Sequence, residues 1–256
     1  MILTLDIGNT NLTLGCMDDE KIHFVARLAT DQSKTDMQYA VEIKDILTFF
    51  NVSLKDLEGS IISSVVPPLS GALKKALTLI TGKTPLIVGP GLKTGLNILI
   101  DNPAQLGSDL VVGAVSALHD YQPPIVVFDM GTATTISVID KNGSYIGGHI
   151  FPGVAISLAA LSNRTAQLPG ISLENPKTTI GRNTIDCMQS GIVNGNAAMI
   201  DGMIERIEEE LGMPVTAVAT GGISQFIIPH CRRKLIYDED MLLKGLYLLY
   251  KKNMKM

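Results

Sequence analysis

Four short stretches of this chain hold residue types whose order could do chemistry. Asp6-Ile7-Gly8-Asn9-Thr10 ends an apolar run on a carboxylate and then turns. A glycine there lets the backbone approach a ligand closely. Successive backbone N–H groups in such a turn form a concavity that accepts anions. Thr10 and Asn11 add side-chain donors. The acid repels phosphate but suits Mg²⁺, which takes oxygen ligands and keeps several waters. Asp129-Met130-Gly131-Thr132-Ala133-Thr134-Thr135 repeats the order later in the chain. The same residue types make plain hairpin turns; two such turns in one chain point to phosphate gripped from two sides with a metal between. Thr220-Gly221-Gly222 is a third element, whose paired glycines allow flat approach to a base or ribose, or simply turn a strand into a helix. Gly107-Ser108-Asp109 sets another acid at the start of a helical stretch. That acid suits a base placed against a substrate hydroxyl, in a transfer governed by positioning and electrostatics. It equally suits a helix cap worth about 1 kcal/mol.

The elements around these stretches read as strand, turn, strand. Ile2 to Leu5 is apolar, and Asn11 to Met17 alternates. A helix is expected from Asp36 to Phe50, where apolar residues recur near 3.6-residue spacing. Ile61 to Val66 is a strand stopped by Pro67-Pro68, followed by a helix over Leu69 to Ile80 and a strand at Leu86-Ile87-Val88. A helix over Leu110 to His119 is broken at Tyr121-Gln122-Pro123-Pro124. The opening pattern then returns: Ile125 to Phe128, a turn, Thr134 to Asp140, the hairpin signal Asn142-Gly143, and Ser144 to Ile150. A helix over Asn194 to Leu211, a strand over Val215 to Ala219 and a terminal helix over Asp240 to Lys252 complete the chain. Alternating strands and helices imply helix-covered α/β sheets. The echo between the two Asp turns predicts a duplication, with halves at 1–121 and 122–256.

Composition excludes several classes. Hydrophobic residues make up 46% and charged residues 18%, against roughly 25% for soluble domains. With 5% aromatics and no Trp, the core must be aliphatic. The net charge of −4 and the lack of a basic run argue against nucleic-acid binding. No uncharged stretch reaches the ~20 apolar residues of a membrane span. The N-terminal apolar run has no basic flank and is interrupted by Asp6, so it reads as a strand rather than a signal peptide. Cys16, Cys187 and Cys231 fit neither zinc nor disulfide spacing, as expected of reduced thiols in the cytoplasm.

The paired turns resemble those with which actin, hexokinase and their relatives hold ATP. From end to end the chain resembles the type III pantothenate kinases. The resemblance rests on Asp6 to Asn11, Ile62 to Pro68, Val88 to Leu96, Asp101-Asn102-Pro103, Gly107, Asp109, Asp129 and Gly131 to Thr135. It continues through Gly147-Gly148, Pro152-Gly153, Leu168-Pro169, Ile180-Gly181, Asn183-Thr184, Met188 to Ile192 and Thr220-Gly221-Gly222. It implies two ribonuclease H-like, actin-like α/β halves, each a mixed sheet flanked by helices, with an interdomain cleft. It implies ATP-dependent phosphorylation of pantothenate to 4'-phosphopantothenate, the first step of coenzyme A biosynthesis.

By the same resemblance, Asp6, Ile7, Gly8, Asn9, Thr10, Asn11, Leu12 and Thr13 form the first ATP-phosphate segment. Thr132, Gly221 and Gly222 are further nucleotide contacts. Asp109 is the base for the pantothenate hydroxyl, within an acceptor segment of Gly107, Ser108, Asp109 and Leu110. Asp129 helps hold a monovalent cation, K⁺ or NH₄⁺; Mg²⁺ accompanies ATP near Asp6. Thr184 reaches the acceptor from the partner subunit of a homodimer. Two positions depart from the family pattern: Leu110 stands where Arg is usual, and Ile100 where Tyr is usual. Both belong to the acceptor pocket, so the ATP half is intact and the acceptor half altered. Arg164 or Arg182 is a candidate replacement cation. The alternatives are a kinase of another small alcohol or a nucleotide-binding regulatory paralogue. A phosphohydrolase of related fold is disfavoured for polyphosphate, which needs a basic channel.

Overall fold

The computed structural model describes residues 1–254. It contains two mixed sheets of the same topology. The first is built from β1 (Ile2–Ile7), β2 (Asn11–Met17), β3 (Ile22–Ala29), β4 (Gly59–Ser64) and β5 (Leu86–Ile87) in the order β3-β2-β1-β4-β5. β1 pairs antiparallel with β2 and parallel with β4. The second sheet takes β6 (Asn97–Ile98), β7 (Ile125–Met130), β8 (Ala133–Ile139), β9 (Ser144–Pro152), β10 (Thr216–Thr220) and β11 (Ile236–Tyr237) in the order β11-β10-β7-β8-β9-β6. β7 pairs antiparallel with β8 and parallel with β10. Read outward from β1 and β7 the two patterns coincide, with β6 added as an edge strand parallel to β9. The duplication expected from the two Asp turns is therefore a duplication of sheet topology.

The helices are α1 (Asp36–Phe49), α2 (Pro67–Thr81), α3 (Ser108–Asp120), α4 (Val154–Arg164), α5 (Thr184–Leu211), α6 (Ser224–Ile227) and α7 (Met241–Met254). Strand alternation decides which helices each face meets. Leu3, Leu5 and Ile7 of β1 pack with Tyr39, Ile43, Leu47, Leu69 and Leu73 of α1 and α2. Ile2 of β1 and Ile61 of β4 pack on the other face with Val112 of α3 and Leu246, Leu249 and Tyr250 of α7. Val126, Phe128 and Met130 of β7 pack with Val154 of α4 and Ile192, Val193, Ala197, Ile200 and Ile204 of α5. None of the helices among the described residues is long and apolar enough to cross a membrane.

Several boundaries differ from the local reading, each for a physical reason. Pro67 and Pro68 do not precede α2 but open it, because the first helical positions need no N–H and proline's φ suits them. α5 begins ten residues before the expected Asn194, at Thr184. Ser190, Gly191 and Gly195 look like breakers, yet Met188, Ile192, Val193 and Ala197 are buried along one stripe, and burial outweighs their propensity. β3 and α4 were not legible from the pattern. By compactness the chain forms two units. The first holds 1–96, 101–119 and the chain from 240 on; the second holds 97–100 and 120–239. The terminal helix α7 thus belongs with the first sheet, on which Leu246 and Leu249 are buried.

Candidate functional site

In the first unit, Asp6 is the fifth residue of β1 and stands opposite Thr13 of β2 and Ser63 of β4 in register. Its neighbours Leu5 and Ile7 face α1 and α2, so Asp6 lies on the α3 and α7 face. It is half-buried, while Asn9, Thr10 and Asn11 at the tip of the turn are exposed. The Gly8 N–H donates to Asn11 O at 3.0 Å, inside the hairpin. Any grip on phosphate therefore falls to groups beyond Gly8. Ile7 and Leu12 are fully buried in the core, which leaves only their backbones for a ligand. Thr30, which carried no signal in the sequence, steadies the turn: its hydroxyl donates to Gly8 O at 2.7 Å and its N–H to Thr10 O at 2.9 Å.

Asp109 enters this end of the sheet from α3. It is the second residue of the helix, and its Oδ1 accepts from the adjacent Leu110 N–H at 2.9 Å. A cap precedes the helix and bonds an amide two or three residues on, so Asp109 is not one. Gly107 leaves room for it, since a Cβ there would overlap Asp109 Oδ1. Burial pushes the Asp109 carboxyl above its usual range, and the amides of Leu110 and Asp109 itself only partly offset that. The helix start is tied to the sheet through Ser108, whose Oγ lies 3.1 Å from Ser63 Oγ and 3.1 Å from Ser64 N. The Val65 N–H donates to Ile7 O at 3.0 Å, joining the same stretch to the Asp6 turn. The structure thus gathers Asp6, Thr13, Gly107, Ser108 and Asp109 at one end and on one face of the first sheet. Ser63 and Ser64 carry no chemical signal of their own in the sequence beyond their place in the Ile62 to Pro68 stretch.

The second unit repeats the arrangement. Asp129 is the fifth residue of β7, with Thr135 of β8 and Thr220 of β10 beside it in register. It is half-buried, and Thr132 at the turn is exposed. Gly131 N–H donates to Ala133 O at 3.1 Å, matching the Gly8 bond. Gly221 lies over the strand end at φ +90; a Cβ there would sit 2.6 Å from Met130 O and 3.0 Å from Asp129 Oδ1. Only glycine fits a backbone this close in this conformation. Gly153 does the same for the turn itself, since its Cβ would fall 2.6 Å from Gly131 O. Gly222 is exposed beside it. The structure therefore brings Asp129, Thr132 and Gly221 together. Thr184 opens α5 and is exposed, next to Asn183, whose Oδ1 accepts from Asp186 N–H at 2.9 Å.

The donor sets fit hard cations. Each carboxylate has hydroxyl-bearing neighbours on both flanking strands, an all-oxygen environment of the kind Mg²⁺ and alkali ions take. Among the described residues no three His, Cys, Asp or Glu side chains gather into a cage.

Residues 2–206 match the family described as type III pantothenate kinase. A type III pantothenate kinase of an Exiguobacterium species is 42% identical over 255 residues, covering 100% of both chains. Another, of Halalkalibacterium halodurans, is 42% identical over 253 residues, covering 99% of this chain and 100% of its own. Component A of the (R)-2-hydroxyglutaryl-CoA dehydratase of Acidaminococcus fermentans superposes with a TM-score of 0.60 over 99% of each chain. At 15% identity that likeness is one of fold, the actin-like, sugar-kinase-like α/β fold.

Proposed function

The chain belongs to the type III pantothenate kinase family, and from that premise we propose that it transfers the γ-phosphate of ATP to the primary hydroxyl of pantothenate, the first step towards coenzyme A. The observation that carries the reading is the placement of Asp6 and Asp109 at one end and on one face of the first sheet, with the same Ser63–Val65 stretch tied to both. Asp109 orients the hydroxyl and takes its proton as the oxygen attacks phosphorus. The Asp6–Thr13 turn holds the ATP phosphates, and Thr132, Gly221 and Gly222 are the further nucleotide contacts that the family resemblance implies. Asp6 would hold Mg²⁺ and Asp129 a monovalent cation, K⁺ or NH₄⁺, and such ions would supply positive charge to phosphate oxygens.

A homodimer with Thr184 reaching the partner's acceptor site is part of the same reading. Ile180 and Ile185 beside Thr184, and Ile150 and Ile156 near the β9–α4 junction, are all exposed, as residues of an apolar interface would be in an isolated chain. We also read the protein as cytoplasmic, where ATP is the donor and free thiols such as Cys187 persist.

The acceptor half carries the departures Leu110 and Ile100. A leucine cannot clamp a carboxylate as arginine does. Leu110→Arg is expected to tighten pantothenate binding by about tenfold to 150-fold, the worth of a charge-assisted hydrogen bond of roughly 1.5–3 kcal/mol. Titration calorimetry with and without the substitution measures it.

The deciding assay for the function is ATP-dependent phosphorylation of labelled pantothenate by purified protein, with Mg²⁺ and either K⁺ or NH₄⁺. Phosphopantothenate is the expected product. Bound ATP without product would overturn pantothenate as acceptor. It would favour the second reading that Leu110 and Ile100 support, a nucleotide-binding regulator or a kinase of another small alcohol.

A further inference from the structure

We propose that Ser108 is a positioning residue for the phosphoryl transfer, pinning the first turn of α3, and Asp109 with it, to the end of β4. The proposal rests on Asp109 as the base.

A serine hydroxyl has one proton to donate and two lone pairs to accept with. Ser108 uses all three. It donates to Ser64 O at 3.0 Å, and it accepts from Ser64 N–H at 3.1 Å and from Ser63 Oγ at 3.1 Å. No capacity remains for a substrate, although the residue sits in the segment expected to bind one. Ser108 also does not cap its own helix; its side chain turns back across 44 residues of sequence to the strand.

The anchor is well chosen. Ser63 is fully buried and stands in register beside Asp6. Ser64 is held in turn, its Oγ donating to Val66 O at 3.2 Å and accepting from Val66 N–H at 3.1 Å. Val65 is bonded to Ile7 at the Asp6 turn. The three residues 63–65 therefore set the distance between the carboxylate that meets the phosphate side and the carboxylate that meets the acceptor. In phosphoryl transfer an error of about 1 Å in that relation can cost on the order of a hundredfold in rate.

The test compares the full-length wild type with Ser108→Ala, Ser108→Thr, Asp109→Asn and the Ser108→Ala/Asp109→Asn double variant. Ser108→Ala is expected to lower kcat by roughly tenfold to a hundredfold, leaving KM for ATP unchanged, and Ser108→Thr to restore it. In the Asp109→Asn background Ser108→Ala is expected to cost nothing further, because a residue acting through another is non-additive with it. Amide hydrogen exchange over residues 108–112 is expected to quicken in Ser108→Ala. Wild-type kcat in Ser108→Ala, or an additive loss in the double variant, overturns the proposal. So does a raised KM for pantothenate at unchanged kcat, the mark of direct substrate contact. If Asp109→Asn is as active as the wild type, or the wild type does not turn over pantothenate, the reading of Asp109 fails instead. Exchange then decides the pin by itself, and unchanged exchange at 108–112 overturns it.

Discussion

Asp109→Asn is expected to lower kcat by about 10²- to 10⁴-fold, the usual worth of a positioned acid or base, and at the same time to raise the melting temperature. Both effects come from one environment. The carboxylate is half-buried at the first turn of α3, where desolvation penalises its charge and only nearby amides offset it. To act as a base it must be ionised. The wild-type rate is therefore expected to fall on the acid side through a midpoint above the ordinary carboxylate range, and that limb should vanish in the variant. The stability sign is opposite. A carboxyl raised in the folded state binds more protons there than in the unfolded chain. Its favourable contribution is complete below the unfolded value and is lost as pH rises through the raised one. At neutral pH the ionised group is a net cost, and asparagine removes it while its oxygen still accepts from the Leu110 N–H. Thermal unfolding at pH 7 and the pH dependence of kcat/KM check the two halves. A melting temperature that falls in the variant would mean that the carboxylate is held by favourable contacts, not poised against burial.

Gly221→Ala is the second large effect, and here the loss is of fold as well as of activity. The backbone at Gly221 has φ +90, and a Cβ would stand 2.6 Å from Met130 O, 2.8 Å from Met130 C and 3.0 Å from Asp129 Oδ1. Two costs add: about 1–2 kcal/mol for an L-residue in the left-handed region, and about 1–3 kcal/mol for forcing atoms into packed space. At roughly 2–4 °C per kcal/mol for a domain of this size, the melting temperature should drop by about 5 °C or more. The displaced atoms belong to the Asp129 strand end, so activity falls with stability. Gly82→Ala is the control. Gly82 is also left-handed, at φ +69, but no atom lies within 4 Å of its missing Cβ. It should pay the conformational cost alone, about 1–2 kcal/mol, and keep its activity. Equal losses in the two variants would show that φ and not the Met130–Asp129 contact governs Gly221.

Much of this was legible locally. A short apolar run closed by turn residues reads as a buried strand, so Ile2 to Leu5 and Ile125 to Phe128 announced themselves, each running into an Asp-x-Gly turn. Packing then divides the buried residues between two faces: Leu3, Leu5 and Ile7 face one helix layer, Ile2 the other. Helix starts were less legible. The prolines opening α2 stop a strand yet suit the first helical positions, which need no N–H; in α5 Ser190, Gly191 and Gly195 disfavour helix locally, and the burial of Met188, Ile192, Val193 and Ala197 prevailed.

By itself, then, the sequence determined the two Asp-x-Gly turns, the repeated strand order around them, and a third acid at a helix start, because turn chemistry and alternation depend only on neighbours a few residues apart. Tertiary structure alone decided which of these meet. It set Asp6 and Asp109 on one face, brought Gly221 onto Asp129, gave the terminal helix to the first sheet, and spent the Ser108 hydroxyl on Ser63 and Ser64. Those contacts join residues tens of positions apart. Nothing in either partner's local sequence encodes them, because they exist only once apolar burial has stacked the helices on the sheets.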